Sequence, residues 1–227
     1  MTKKKCVCII PARKGSKRIK NKNTKNFFGK PLIYYSIKAA QKSKIFSKII
    51  VSTDCEKIAN ISKKYGADVP FLRNKRLSND KASTKSVLID TIKKNNSKNI
   101  EFHCMIYPTA PLIKPQDLKK AFKLIRNRNV DCVITVCKYL NHPLRSFIIK
   151  NNFLQFKWKQ FQKKNSQDLE ELVHDSGNFY FFRTKEILEG KNFYPKKTLP
   201  YYLKIFNSVD IDNYDDLELA KRLFKRK

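Results

Sequence analysis

Short apolar runs alternate with amphipathic stretches along this chain, the rhythm of strands exchanged with helices in an α/β sheet. Residues 5–10 (KCVCII) predict a buried first strand. Pro31 follows Gly29-Lys30 and opens a helix to about Lys44, because proline is well tolerated in the first helical turn. A second strand covers 48–53 (KIIVST), and a helix over about 55–64 ends at Gly66, a residue suited to the left-handed conformation past a helix end. Further strands are expected at 68–72, 102–107 and 131–137. Helices over about 84–95 and 115–128 separate them, the second again opened by a proline, Pro115.

From 139 to 176 the rhythm changes. FIIKNNFLQFKW places Asn151-Asn152 between two alternating apolar runs, a β-hairpin signal, and a polar, poorly periodic stretch follows it. Residues 139–176 therefore read as an insertion projecting from the sheet. A strand at 178–183, a helix closing near Gly190, a strand at 203–209 and a last helix from about 213 to 224 complete the pattern. The expectation is a single domain over 1–227: three α/β/α layers, a mostly parallel sheet and an inserted hairpin.

Composition changes this picture little. A hydrophobic content of 41% with 12% aromatic residues belongs to a folded protein despite 30% charge. No apolar run approaches the roughly 18 residues of a membrane helix. The six residues from Cys6 to Pro11 are too short for a secretory h-region and run into Arg13, Lys14 and Lys17, so the chain reads as cytoplasmic. The six cysteines form no CxxC, and they read as reduced structural thiols. The formal charge of +31 suggests nucleic acid, but RNP, KH, zinc-finger and helix-turn-helix patterns are missing, and no nucleic-acid partner is expected. About four in five basic residues are lysine, in a chain also rich in Asn, Ile, Phe and Tyr. Much of the charge is thus a compositional bias that still raises the local concentration of anionic substrates.

Two segments carry candidate chemistry. The loop Pro11-Ala12-Arg13-Lys14-Gly15-Ser16-Lys17-Arg18, continued to Asn23, follows the first strand at the edge where open α/β sheets bind ligands. Gly15 permits close backbone approach and the bases suit a triphosphate. Neither GxxxxGK[ST] nor GxGxxG is present, and a basic loop can also be merely solvated. The second segment is Ser208-Val209-Asp210-Ile211-Asp212. On a strand, Asp210 and Asp212 share one face, where Mg²⁺ bridging to phosphates would relieve their repulsion. The alternative is that Asp212 only caps the last helix.

IIPARKGSKRIKNKNTKNFFGKPLIYYSI, VSTD at 51–54, VPFLR at 69–73, PTAPL at 108–112 and DIDNYDDLELA at 210–220 resemble, in order, the acylneuraminate cytidylyltransferases. The resemblance covers almost the whole chain and is weakest at 139–173. It implies a Rossmann-like nucleotidyltransferase fold in which residues matching Arg13, Ser16, Lys17, Lys22 and Asn23, with Ala12 and Gly15 in the same motif, cradle the phosphates of CTP. Asp210 and Asp212 match the Mg²⁺ positions, Arg73 an arginine of the nucleotide pocket, and Ser83 and Thr84 the neighbouring start of a helix. Arg13, Lys17 and Asp210 are the implied catalytic groups. In such enzymes the insertion reaches across a homodimer and helps build the partner's sugar site. Arg145 matches a basic residue near the sugar, and Tyr107, His174 and Asn178 are further sugar candidates; His142 and His174 can each also be structural. The aromatic run Phe179–Phe182 reads as strand core and dimer contact rather than a base-stacking platform.

The implied reaction joins CMP from CTP to the anomeric hydroxyl of a nine-carbon 2-keto sugar acid. Sialate-activating members typically read QPTSPLR and RPNGAIY where this chain reads Tyr107–Ile113 and Asp175–Tyr180. That pattern is more similar to enzymes activating pseudaminic acid, with N-acetylneuraminate or legionaminate as the alternatives. The NHPL segment at 141–144 leans toward the sialate enzymes. CMP-Kdo synthesis shares the fold and the keto-acid logic. A methylerythritol-type enzyme would give no reason for the DID segment.

Overall fold

The computed structural model describes residues 6–190 and 192–225. Its elements in chain order are β1 (Cys6–Pro11), β2 (Asn26–Phe27), β3 (Lys30–Pro31), α1 (Leu32–Ser43), β4 (Lys48–Ser52), α2 (Glu56–Lys64), α3 (Thr84–Lys94) and β5 (Phe102–Ile106). There follow α4 (Pro115–Asn127), β6 (Cys132–Lys138), β7 (Phe147–Lys150), β8 (Phe153–Phe156), β9 (Val173–Arg183), α5 (Thr184–Glu189), β10 (Thr198–Tyr202) and α6 (Tyr214–Lys225). The expected start of the first strand at Lys5 lies outside the described residues.

Period-two alternation in β1 sets the layers. Cys6, Cys8 and Ile10 pack with Ile33 and Ile37 of α1 and Leu118 and Ala121 of α4. Val7 and Ile9 pack on the opposite face with Leu88 and Ile92 of α3. The six-stranded sheet runs β10-β6-β9-β5-β1-β4, and β9 alone is antiparallel to its neighbours. Five of the six cysteines are buried, and burial raises those thiols above their usual range, as expected of structural residues. No described helix is long and apolar enough to cross a membrane.

Four expectations need correction. Residues 68–72 make only two isolated bridges, Asp68 to Ile50 and Leu72 to Thr53, because Pro70 between them has no N–H for a ladder. The strand expected at 203–209 lies at 198–202 instead. There β10 is the sheet's edge and tolerates Pro200, while 205–207 is a 3-10 turn. β9 begins at Val173, so the insertion ends before it rather than at 176. Phe179, Tyr180, Phe181 and Phe182 are all buried in the chain's own core, which leaves none of them for a dimer contact.

The insertion itself holds the hairpin. β7 and β8 pair antiparallel around Asn151 and Asn152, both at positive φ (50° and 64°), the mark of a type I′ turn. Phe147, Ile149, Phe153 and Leu154 are all exposed on it.

Candidate active site

The chain passes from β1 to β4 on one side of β1 and later to β5 on the other, so the crevice at the carboxyl ends of β1 and β5 is a topological switch point. A cleft of about 520 Å³ opens there, with Pro11 at the end of β1 and Tyr107-Pro108-Thr109 just past β5. Two charged walls face each other across it.

The cationic wall is the loop after β1. Ala12 extends the β1–β4 pairing through its N–H to the Ser52 carbonyl (2.9 Å), and the Lys14 N–H bonds Asp54 Oδ1 (2.8 Å). The Asn23 amide, itself buried, donates to the Arg13 carbonyl (2.9 Å) and ties the loop's two ends together. Arg13, Ser16, Lys17, Arg18 and Lys22 are thereby turned into the cleft. Gly15 has open space where a Cβ would stand, so the chain's own packing does not demand glycine there.

The acidic wall is Asp210-Ile211-Asp212, which reaches the cleft by another route than strand alternation. The segment is irregular; the Ile211 N–H bonds the Thr109 carbonyl (3.0 Å) and its side chain is fully buried, which leaves both neighbours facing the cleft. A small core cluster joins Ile211 to Ile19 of the cationic loop and to Leu217 and Ala220 of α6, so both walls hang on the same apolar contacts. Asp212 does not cap α6. Asn213 and Asp216 do so reciprocally: Asn213 Oδ1 accepts from the Asp216 N–H, and Asp216 Oδ2 accepts from the N–H groups of Asp212 and Asn213, all at 2.9 Å.

The two carboxylates differ. Burial pushes Asp210 up to about 6, against the hydrogen bond donated by the Thr109 hydroxyl. Burial also raises Asp212, but Lys22 (2.9 Å) and Arg18 (2.8 Å) outweigh it and hold that carboxyl below the usual range. Lys22 also donates to the Ile211 carbonyl (2.8 Å).

A bulge in β9 lies against Asp210. Between the pairs Ile134–Tyr180 and Val136–Asp175, the single β6 residue Thr135 is opposed by four of β9, Ser176 to Phe179. Thr135 braces the slack by bonding Phe179 and Ser176. Gly177 sits there at φ 64°, and a Cβ on it would lie 2.8 Å from Asp210 Oδ2. Asp175 accepts from Tyr180 (2.7 Å), Tyr194 (2.8 Å) and the Gly177 N–H (2.9 Å). Tyr107 stands edge-on to Tyr180 and meets the Thr84 hydroxyl (3.3 Å).

The structure thus gathers Arg13, Ser16, Lys17, Lys22, Asn23, Tyr107, Asp210 and Asp212 around one cleft. Other candidates lie elsewhere. Ala12 is in the core, and Arg73 is buried behind the wall with its Nε on Ser78 Oγ (3.2 Å). Ser83 is the N-cap of α3, and Thr84 reaches the cleft only through Tyr107. Arg145 is held in the insertion by the Lys164 carbonyl (2.7 Å), and His142 by Glu170 and Leu144. His174 packs on Tyr139 and bonds the Asp175 carbonyl (2.9 Å). Asn178 is fully buried, its amide without a hydrogen-bond partner. Sequence reasoning missed Thr109 and Asp80, and it took Arg18 only as one of the loop's bases, not as a partner of Asp212. Asp80 pairs with Arg13 and Lys17, and its one signal was an acidic side chain in a chain with only 19.

A cationic loop facing two carboxylates, at the switch point of a nearly parallel sheet, defines an α/β protein equipped for phosphate chemistry. Comparison makes this specific: residues 7–225 match the family model for cytidylyltransferases, and the chain belongs to that family of nucleotidyltransferases. It is 40% identical over 226 residues to pseudaminic acid cytidylyltransferase of Campylobacter jejuni subsp. jejuni serotype O:2, covering 97% of each chain. It is 34% identical over 230 residues to CMP-N,N'-diacetyllegionaminic acid synthase of Legionella pneumophila subsp. pneumophila, covering 96% of each. Among solved structures, CMP:2-keto-3-deoxy-manno-octonic acid synthetase complexed with CTP superposes with a TM-score of 0.73 at 16% identity, over 97% of this chain and 98% of that one.

Proposed function

We propose that this enzyme transfers CMP from CTP to the anomeric hydroxyl of a nonulosonic acid, pseudaminic acid first among them, releasing pyrophosphate. The observation that carries the reading is the gathering, around one cleft, of Arg13, Lys17 and Lys22 with Asp210 and Asp212. Arg13 and Lys17 bind the triphosphate and stabilise charge on the transferring and leaving oxygens, and Asn23 keeps Arg13 in place from behind. The attacking hydroxyl must lose its proton, and either Asp210 or a water held at the carboxylate pair would accept it.

The donor set fits Mg²⁺. Two hard carboxylates stand side by side, and no group of three or more His, Cys, Asp or Glu is present among the described residues. Mg²⁺ commonly takes one or two carboxylates and completes its shell with phosphates and water. Asp210 and Asp212 would hold it, and it would neutralise charge on the phosphate oxygens.

The choice of sugar rests on Tyr107 and on the names of the relatives. Pseudaminic acid carries a C9 methyl and two acetamido groups, and an aromatic wall suits that surface better than a polyhydroxyl tail. The exposed apolar hairpin supports a homodimer in which Arg145 serves the partner's cleft. Pyrophosphate release from CTP, measured across a panel of nonulosonic acids, tests all of this. Pseudaminic acid should be turned over far faster than N-acetylneuraminic acid at equal concentration. Comparable kcat/KM for the two would refute the choice of sugar, and no release with any of them would refute the reaction.

A further inference from the structure

The two cations assigned to the triphosphate already have a partner. Arg13 Nη1 lies 2.6 Å from Asp80 Oδ1 and Lys17 Nζ 2.5 Å from Asp80 Oδ2, one cation on each oxygen, as two oxygens of a phosphate would take them. These bonds, Lys17 first and then Arg13, hold the Asp80 carboxyl below its usual range.

Asp80 is presented by a built loop. Asn79 Oδ1 accepts from the N–H groups of Lys81 and Ala82 (both 2.9 Å), and its amide donates to the Arg76 carbonyl (3.0 Å). Asn74 accepts from the Leu77 N–H (3.1 Å), and Ser78 ties Asn74 to the buried Arg73. The next turn is fixed as the start of α3 by the Ser83 cap. The backbone that carries the carboxylate is therefore braced, while the two cations sit on long, flexible stems. The Lys17 side chain is 80% exposed and that of Arg13 38%, so the cations can change partners by rotating, with the loop unmoved.

We infer that Asp80 is an internal competitor for the nucleotide's phosphates. It occupies Arg13 and Lys17 in the empty cleft, yields them to CTP, and takes them back as pyrophosphate leaves. This rests on the triphosphate reading of the cleft. Asp80 does not touch the reacting atoms; it weakens binding of substrate and product phosphates together. In a chain of charge +31 the hazard is a polyanion that stays bound, and a fixed carboxylate beside the two cations opposes it.

Calorimetric titration of magnesium-CTP and, separately, of inorganic pyrophosphate into the full chain, Asp80→Asn, Asp80→Ala and Asp80→Glu tests this. Exposed ion pairs are individually weak, so losing two should tighten both ligands about three- to tenfold in the Asn and Ala variants. Pyrophosphate inhibition should strengthen by the same factor, the KM for the sugar should stay put, and Asp80→Glu should resemble the parent. A merely structural residue would not move affinity upward. Unchanged or weaker binding in both neutral variants, with melting curves that match the parent, overturns the inference. A parent protein that binds neither CTP nor pyrophosphate overturns the triphosphate reading beneath it.

Discussion

Gly177→Ala is the sharpest single probe of the cleft. Gly177 lies at φ 64° in the β9 bulge, and a Cβ there would come 2.8 Å from Asp210 Oδ2, 3.2 Å from its Cβ and 3.3 Å from its Cγ. The left-handed conformation costs an L-residue about 1–2 kcal/mol. The close approach adds to this, because Asp210 cannot simply swing aside. Thr109 holds its Oδ1, and its neighbour Ile211 is bonded to the Thr109 carbonyl and fully buried. The carboxylate must move by several tenths of an ångström, and displacements approaching 1 Å at a reacting group cost about 10²-fold in rate. We expect kcat to fall ten- to a hundredfold, while a loss of about 1–2 kcal/mol lowers Tm by roughly 2–8 °C. Pyrophosphate-release kinetics and a thermal melt on the same preparation read both. A variant with parental kcat would refute the claim that this bulge sets the position of Asp210.

Three further outcomes follow from the same geometry. Asp210 is pushed up to about 6 from 3.8, so its ionisation opposes folding, with the cost appearing as pH rises from 3.8 through 6 and present in full above. Metal-free Asp210→Asn should therefore be more stable than the parent at pH 7.5 by about 1–3 kcal/mol, with the gap closing below pH 4; equal melting points at pH 7.5 would contradict it. Tyr107→Gln removes the ring that meets Thr84 and Tyr180, and should narrow the preference for pseudaminic over N-acetylneuraminic acid chiefly by impairing the favoured sugar; an unaltered kcat/KM ratio would count against the wall. Ile149 and Phe153 are 76% and 73% exposed on the hairpin, and Ile149→Asp with Phe153→Asp should yield a monomer by light scattering; a dimer surviving both would place the interface elsewhere.

The strands of the parallel core were legible because continuous apolar runs such as CVCII have few other fates in a chain of this size. Pro70 and Pro200 defeated the pattern in opposite ways. The first breaks a ladder that apolar residues suggested, and the second sits in an edge strand at 198–202, upstream of the one expected at 203–209. The acidic pair was legible through its spacing, although the supposed strand is absent; a buried Ile211 and a carbonyl acceptor on Thr109 do the aiming instead. Asp80 was not legible, because its meaning comes from two cations more than sixty positions upstream. No local pattern carries such a pairing.

The small cluster of Ile19, Phe27, Leu32, Ile211, Leu217 and Ala220 has a consequence for motion. It stands apart from the two larger clusters that sandwich the sheet, so it can open without the sheet's core melting. Hydrogen exchange should then find α6 and the loop after β1 opening as one unit, at a lower free energy than the central strands. A nucleotide bridging the two walls would close that unit, and its binding would be felt as slowed exchange along α6, a helix that lines no part of the cleft. By the same token, Leu217→Ala should leave the main melting transition nearly in place while costing turnover. Beside the global melt, the integrity of the site is therefore to be read from its own local breathing.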